Sequence, residues 1–261
     1  MSTRQLKTQQ KIAQPTIKKG VLVVPKNSRM ELTEGAERPN QDQEYEDIVI
    51  ETGGRLLHTV YKTPYKSRSV AIAANASYEL RCLTVGEQQI VNNLTVELKG
   101  ERAEAHIFIL TATSGTSKLQ ERIHIIHRAP NCTSTVLHRA FASHESTVDF
   151  TGTISIAPQA KKSNAKLTSN GLLLSPHALI RTRPEFEILT SDVGCRHGAT
   201  IGELDEAALF YMTSRGIDLM QAKRLLTVAF AKEILTGMPE GPAKNESTAA
   251  LDYFLDHAYA V

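Results

Sequence analysis

The sequence predicts an all-β core followed by a small C-terminal α-helical cap, and three observations predict it. From Asp47 to Leu189 the chain is written in short runs rich in Val, Ile and Thr, among them DIVIE, SVAIAAN, YELRCLTV, AHIFILTA, RIHIIH and TGTISIA. These runs are broken by TGG, ANAS, KGERAE and TATSGTS, the Gly, Asn and Ser signals of turns, and no helical period lies between them, which excludes alternating βαβ units. After residue 203 the apolar period becomes helical.

The chain divides into residues 1–45, 46–202 and 203–261. The first 20 residues carry Arg4, Lys7, Lys11, Lys18 and Lys19 without an acid, and residues 31–51 reverse the sign with Glu31, Glu34, Glu37, Asp42, Glu44, Glu46, Asp47 and Glu51. With no apolar period, residues 1–45 are expected to form a flexible arm and an acidic segment. Across 46–202 a β-type run recurs about every 10 to 15 residues with no strict repeat. That pattern suits successive coils of a parallel β-helix, and on periodicity alone a sandwich, a barrel or a cupin-like jelly roll stays open. In 203–261, Asp205 is placed to cap a first helix with Leu209, Phe210 and Met212 on an apolar face and Gly216 just past its end. A second begins at Asp218, with Gln221 three residues on, carries Leu219, Ala222, Leu226, Ala229, Phe230 and Ile234, and stops at Gly237 and Pro239. A third, from about Ser247 to Ala258, carries Leu251, Phe254 and Leu255 on one side.

Composition narrows the function classes. With 261 residues, 41% hydrophobic and 22% charged, the chain supports one sizeable core and at most a small appended domain. Thirty Lys and Arg against 28 Asp and Glu give a net charge of +2, no reason to expect a nucleic-acid partner. No apolar stretch is long enough for a membrane span, and MSTRQLKTQQKIAQP lacks the apolar centre of a secretory signal, so a cytoplasmic protein with no membrane partner is expected. Cys82, Cys132 and Cys195 are odd in number and widely spaced, which argues against a disulfide framework, and without a CxxC pair an ordinary four-ligand zinc site is not expected. No Gly-rich phosphate loop is present, so any ATP dependence must come from another chain.

The richest local text is EILTSDVGCRHGATIGELD. In an extended segment Cys195 and His197 project from one face and Arg196 from the other. A thiolate beside an imidazole is a soft site suited to iron, copper or persulfide chemistry, although such a pair is more often a packed cysteine and a hydrogen-bonded histidine. Cys132, after Pro130 and Asn131, reads as a small buried side chain at a turn entering a strand. His124, His127 and His138 fall in strands without a ligand spacing.

The strings HRAPNCTSTVLHRAF, VDFTGTISIAPQAKKSNAK, GLLLSPHALIRTRPEFEI, SDVGCRHGATIGELDEAALFYMTSRGI and AKRLLTVAFAKEIL, in that order, resemble the core domain shared by SufB and SufD. The resemblance implies a right-handed parallel β-helix followed by C-terminal helices, in a subunit of an iron-sulfur cluster assembly complex that is not itself an enzyme. It implies pairing through the β-helix with a SufB-like subunit or with itself, and a SufC-like ABC ATPase held on the helices, for which Phe210, Tyr211, Arg215 and Gly216 are the candidate contacts. It places a functional histidine at His197, with Cys195 beside it, as candidate ligands for a transient iron-sulfur cluster at a subunit interface. Cys-Arg-His stands where B-type chains resemble Glu-His-Glu, and SNGLLLSP lacks the cysteine of such chains, so the chain looks D-like, with a homodimeric scaffold still open. Longer members place a helical region before the β-helix where this chain has a short, poorly patterned stretch.

Two other classes remain: a structural β-helix interaction protein without metal chemistry, and a β-helix enzyme acting on polysaccharide. The enzyme would need clustered acids and aromatic platforms, whereas the chain has no Trp and 5% aromatics.

Overall fold

A computed structural model describes residues 16–18, 20–35, 45–61, 66–86 and 89–259. In chain order the first strands are β1 (Thr16–Lys18), β2 (Val21–Val24), β3 (Arg29–Glu34), β4 (Asp47–Ile50), β5 (Arg55–Tyr61), β6 (Ser67–Ile72) and β7 (Ser77–Gly86). They are followed by β8 (Gln89–Leu98), β9 (Glu104–Thr113), β10 (Lys118–His127), β11 (Thr133–Ala142), β12 (Thr147–Ile156), β13 (Ser163–Leu173), β14 (Leu179–Ile188) and β15 (Val193–Gly202). Three helices close the chain: α1 (Glu206–Ser214), α2 (Leu219–Thr236) and α3 (Pro242–Ala258).

From β2 onward successive strands alternate between two sheets, one ordered β1-β2-β4-β6-β8-β10-β12-β14 and the other β15-β13-β11-β9-β7-β5-β3. Apart from the antiparallel β1–β2 pair the neighbours are parallel, so the chain winds as a parallel β-helix. The coil period drifts along the chain. Val21 pairs with Asp47, Asp47 with Ser69, Ser67 with Asn93, Lys118 with Thr147 and Thr147 with Leu179, periods of 26, 22, 26, 29 and 32 residues. A drifting period leaves no fixed repeat in the text, which is why periodicity alone could not choose the solenoid.

One corner is built the same way in coil after coil. Asn27, Gly53, Asn75, Arg102, Asn131 and Lys162 all have left-handed backbone, with φ between 54° and 70°, and each donates its N–H to the corresponding turn of the next coil, as Asn131 does to Lys161 O at 2.9 Å. The residue that follows faces inward and is small: Gly54, Ala76, Ala103, Cys132 and Ser163 are buried. Cys132 is a rung of this ladder, its thiol donating to Gly100 O at 3.3 Å. Gly152, in the VDFTGTISI strand, is set by close approach, because a Cβ there would lie 2.6 Å from Leu167 Cδ1.

The eight-stranded sheet has one wet face, and its strands alternate accordingly, β12 strictly so. The seven-stranded sheet is covered on both faces in its middle. Ile107 and Ile109 of β9 enter the solenoid core, while Leu110 and Ala112, with Leu83, Leu137 and Phe141, meet Ala231, Ile234, Leu235, Leu251, Phe254 and Leu255 of α2 and α3 in a second core. The Phe141 ring lies 5.4 Å from Phe230 and 6.2 Å from Phe254. Two guanidiniums pin α2 to the sheet: Arg81 donates to Ile234 O at 3.3 Å, and Arg139 donates to Phe230 O and pairs with Glu233.

The helical region therefore lies along a flank of the solenoid. The Asp205 and Asp218 caps form as predicted, Gly216 takes φ 84°, and Ile217 N–H returns to Met212 O at 3.2 Å to complete the C-terminal turn of α1. The third helix starts earlier than its apolar residues suggest, at Pro242, where proline serves as a first-turn residue.

The expected arm over 1–45 needs correction. Residues 21–34 form β2 and β3 of the solenoid, with Leu22, Val24 and Met30 fully buried. The apolar run VLVV and the alternation of RMELTE carry the signal, but both are short and sit between charge runs. Arg4, Lys7, Lys11 and Lys19 of the basic stretch, and Glu37, Asp42 and Glu44 of the acidic one, lie outside the described residues.

Candidate functional site

The C-terminal end of the solenoid is open. Among the described residues β14 pairs only with β12 and β15 only with β13, so each has one edge of backbone N–H and C=O groups without a described strand neighbour. β15 keeps the inward alternation of the coils before it: Cys195 sits beside Ala165, His197 beside Leu167 and Ile201 beside Gly171. With no further coil above them, these inward positions are uncovered, and the whole run from Arg196 to Gly202 is exposed.

Cys195 lies at the margin of the solenoid core, and partial burial pushes its thiol above the usual range, offset in part by hydrogen bonding to the Ala165 backbone. The thiol is therefore protonated at neutral pH in the chain by itself, and only a bound metal or a nearby cation makes it a thiolate. His197 stacks on Phe186 of β14, with ring centroids 4.8 Å apart and planes at 22°, so an aromatic contact joins the two sheets at this end. Cys195 and His197 share a row of β15, about 7 Å apart along the strand, and Arg196 points to the other face. Among the described residues no three of His, Cys, Asp and Glu are grouped to hold a metal ion. The two side chains thus supply an incomplete ligand set.

The candidate partner contacts lie on α1 and the turn after it. This helix buries no residue, and Phe210 and Tyr211 are 75% and 61% exposed. The Arg215 guanidinium lies over the Tyr211 ring at 5.3 Å, while the backbone N–H of Arg215, not its side chain, bonds the last carbonyls of α1. Gly216 supplies the left-handed turn into α2, whose Leu219 and Met220 are also exposed. Of the apolar face anticipated for the first helix, Leu209 and Met212 are partly buried and Phe210 is turned to solvent.

The buried histidines and their partners are structural. His127 and His138 face into the solenoid, where burial lowers their pKa to about 4 and about 3. Glu34, Arg68, His58 and Tyr78 form a buried network in the first coils, with Arg68 on Glu34 at 2.9 Å and His58 Nδ1 on Tyr78 Oη at 3.0 Å. Burial lowers the pKa of His58 despite the neighbouring carboxylate, whereas His58 and Arg68 hold Glu34 well below the usual carboxylate range despite its burial. His124 bonds Ser155 Oγ at 2.8 Å on the outer face. Phe186 is the site residue that the residue patterns did not single out. Its signal was the inward alternation of RTRPEFEI, which matters only once the final coil is known to be uncovered.

Fold and site together define an open-ended parallel β-helix protein with a helical flank. The chain belongs to the family described as SUF system FeS cluster assembly, SufBD core domain, which matches residues 7–230. It is 28% identical to the iron-sulfur cluster assembly protein SufD of Escherichia coli (strain K12), over 72% of this chain and 44% of that protein. It is 30% identical to an iron-sulfur cluster assembly SufBD family protein of Synechocystis, over 66% of this chain and 38% of that one. To the iron-sulfur cluster assembly protein SufB of Bacillus subtilis (strain 168) it is 22% identical, over 74% of this chain and 43% of that protein, so its likeness is D-like more than B-like. The chain spans less than half the length of these relatives. Among the described residues no helix is long and apolar enough to cross a membrane.

Proposed function

We propose that the chain works as a scaffold subunit of a SUF-type assembly complex, pairing through its open end with a SufB-like subunit or a second copy of itself. Iron and sulfide are then the cargo assembled at that junction, with Cys195 and His197 as this chain's ligands and the partner completing the set. The observation that carries this is the uncovered final coil, a bare edge of β15 that presents an imidazole and a half-buried thiol together. Exposed backbone edges pair readily with another strand, and an incomplete ligand pair at such an edge is completed by the strand that docks there. The helical flank is the second docking surface, for a SufC-like ABC ATPase, supported by the exposed Phe210 and Tyr211 on a helix that buries nothing. A polysaccharide enzyme is disfavoured by the outer sheet face, where a cavity is lined by three arginines and a single carboxylate instead of a pair of acids.

Sedimentation with a SufB-like subunit, followed by anaerobic reconstitution with iron and sulfide, tests both halves of the pairing proposal. Ile201→Asp places a charge on the bare edge and is expected to abolish the complex, whereas His197→Ala is expected to keep the complex and lose bound iron. A complex that survives Ile201→Asp, or iron content unchanged in His197→Ala, removes the corresponding half.

A further inference from the structure

We infer that the arginine cleft on the outer face of the eight-stranded sheet is a binding site for a compact polyvalent oxyanion, a phosphate or diphosphate group. The cleft has a volume of about 480 Å³ and is lined by Gln120, Arg122, Asp149, Thr151, Arg181 and Arg183. Strand register places these residues in two rows. Arg122, Thr151 and Arg183 are lateral neighbours across β10, β12 and β14, and Gln120, Asp149 and Arg181 form the adjoining row. Strands lie about 4.8 Å apart, so two guanidinium-bearing positions flank the Thr151 hydroxyl at about 10 Å from each other. Long side chains reaching inward from that distance can share one tetrahedral anion, with the hydroxyl donating between them.

The charges are not balanced within the cleft. Arg181 pairs with Asp149 at 3.3 Å. Arg122 donates to the neutral Gln120 side chain at 3.1 Å, which leaves its charge uncompensated. Arg183 makes no hydrogen bond or ion pair among the described residues. Two positive charges therefore remain, which matches the charge of about −1.5 to −2 on a phosphate near neutral pH. Pro184 follows Arg183 and holds it extended on an edge strand that tolerates proline, so the guanidinium is carried on a constrained backbone. No aromatic or large apolar residue lines the cleft, so nothing there would stack a nucleobase or accept an acyl chain. Guanidinium forks recognise phosphate by paired, charge-assisted hydrogen bonds, and this cleft offers two of them with a hydroxyl between.

The test is calorimetric titration of the whole chain with inorganic phosphate and with diphosphate at constant ionic strength. One saturable site is expected, with diphosphate the tighter ligand. Arg122→Gln and Arg183→Gln should each weaken binding by about tenfold or more. Arg183→Lys, which keeps the charge and loses the fork, should fall between. Asp149→Asn removes the opposing carboxylate and releases Arg181, so it should tighten binding. Lys26→Gln, remote in the turn after β2, should change nothing, and all five variants should melt with the parent because the altered side chains are not in the core. No saturable binding at millimolar diphosphate, an equal loss in Lys26→Gln, or weaker binding in Asp149→Asn would each overturn the proposal.

Discussion

Mild acid should destabilise the chain by a margin set by two buried histidines. His127 and His138 face the solenoid interior, each with a single serine partner: Ser134 Oγ at 2.8 Å from His127 Nε2 and Ser169 Oγ at 2.9 Å from His138 Nδ1. The His138 ring also stacks on Phe150 at 4.0 Å. Burial is the cause that lowers both, from 6.5 to about 4 and about 3. The folded pKa lies below the unfolded one, so the unfolded chain takes up protons first as pH falls. The contribution is intact above pH 6.5 and is lost progressively down to the folded values. Moving from pH 7 to pH 5 costs about 2 kcal/mol for each histidine, or about 4 kcal/mol for the pair. His58, also lowered by burial, acts in the same direction, and Glu34 begins to titrate in the unfolded chain only near 4.5, so pH 5 isolates the histidines. Urea unfolding followed by circular dichroism at the two pH values measures the difference. With an m-value of about 3 kcal/mol/M the midpoint should fall by more than about 1 M, and replacing both residues by Asn should remove most of that shift. A midpoint that holds within about 0.3 M between pH 7 and pH 5 would refute the reasoning, because the two imidazoles could then not be buried in neutral form.

Two further outcomes follow from the helical flank. Phe141→Ala empties the contact between the seven-stranded sheet and Phe230 and Phe254, and should cost about 3–5 kcal/mol, with amide exchange quickening first in α2 and α3. Changing Phe210 and Tyr211 together to Glu should leave the melting temperature unaltered, since α1 buries nothing, while loss of a co-expressed SufC-like ATPase in pull-down would support the docking role and full retention would remove it.

Much of the fold was legible in local chemistry. Runs such as TVDFTGTISI alternate because one sheet face is dry and the other wet, and Asp205, Gly216 and Asp218 mark helix ends because capping is decided within a few residues. The family was legible in several ordered strings, and Cys195, His197 and Phe210 were named from them. What local text could not give was long-range geometry. The drifting coil length hid the solenoid's period, and the short VLVV and RMELTE strands became core only through neighbours across the sheet, as in the pairing of Leu22 with Ile48 and of Met30 with Leu56.

The sequence by itself determined the elements, their ends and the family, because backbone preference, capping and alternation act over distances of a few residues. Tertiary structure alone decided that the helices cover a flank and leave the last coil bare, and that Arg122 and Arg183, far apart in the chain, face one cleft across Thr151. Burial and proximity belong to the stacking of whole coils. β15 keeps the register of an interior strand, and its inward row is exposed because, among the described residues, no strand pairs along its outer edge.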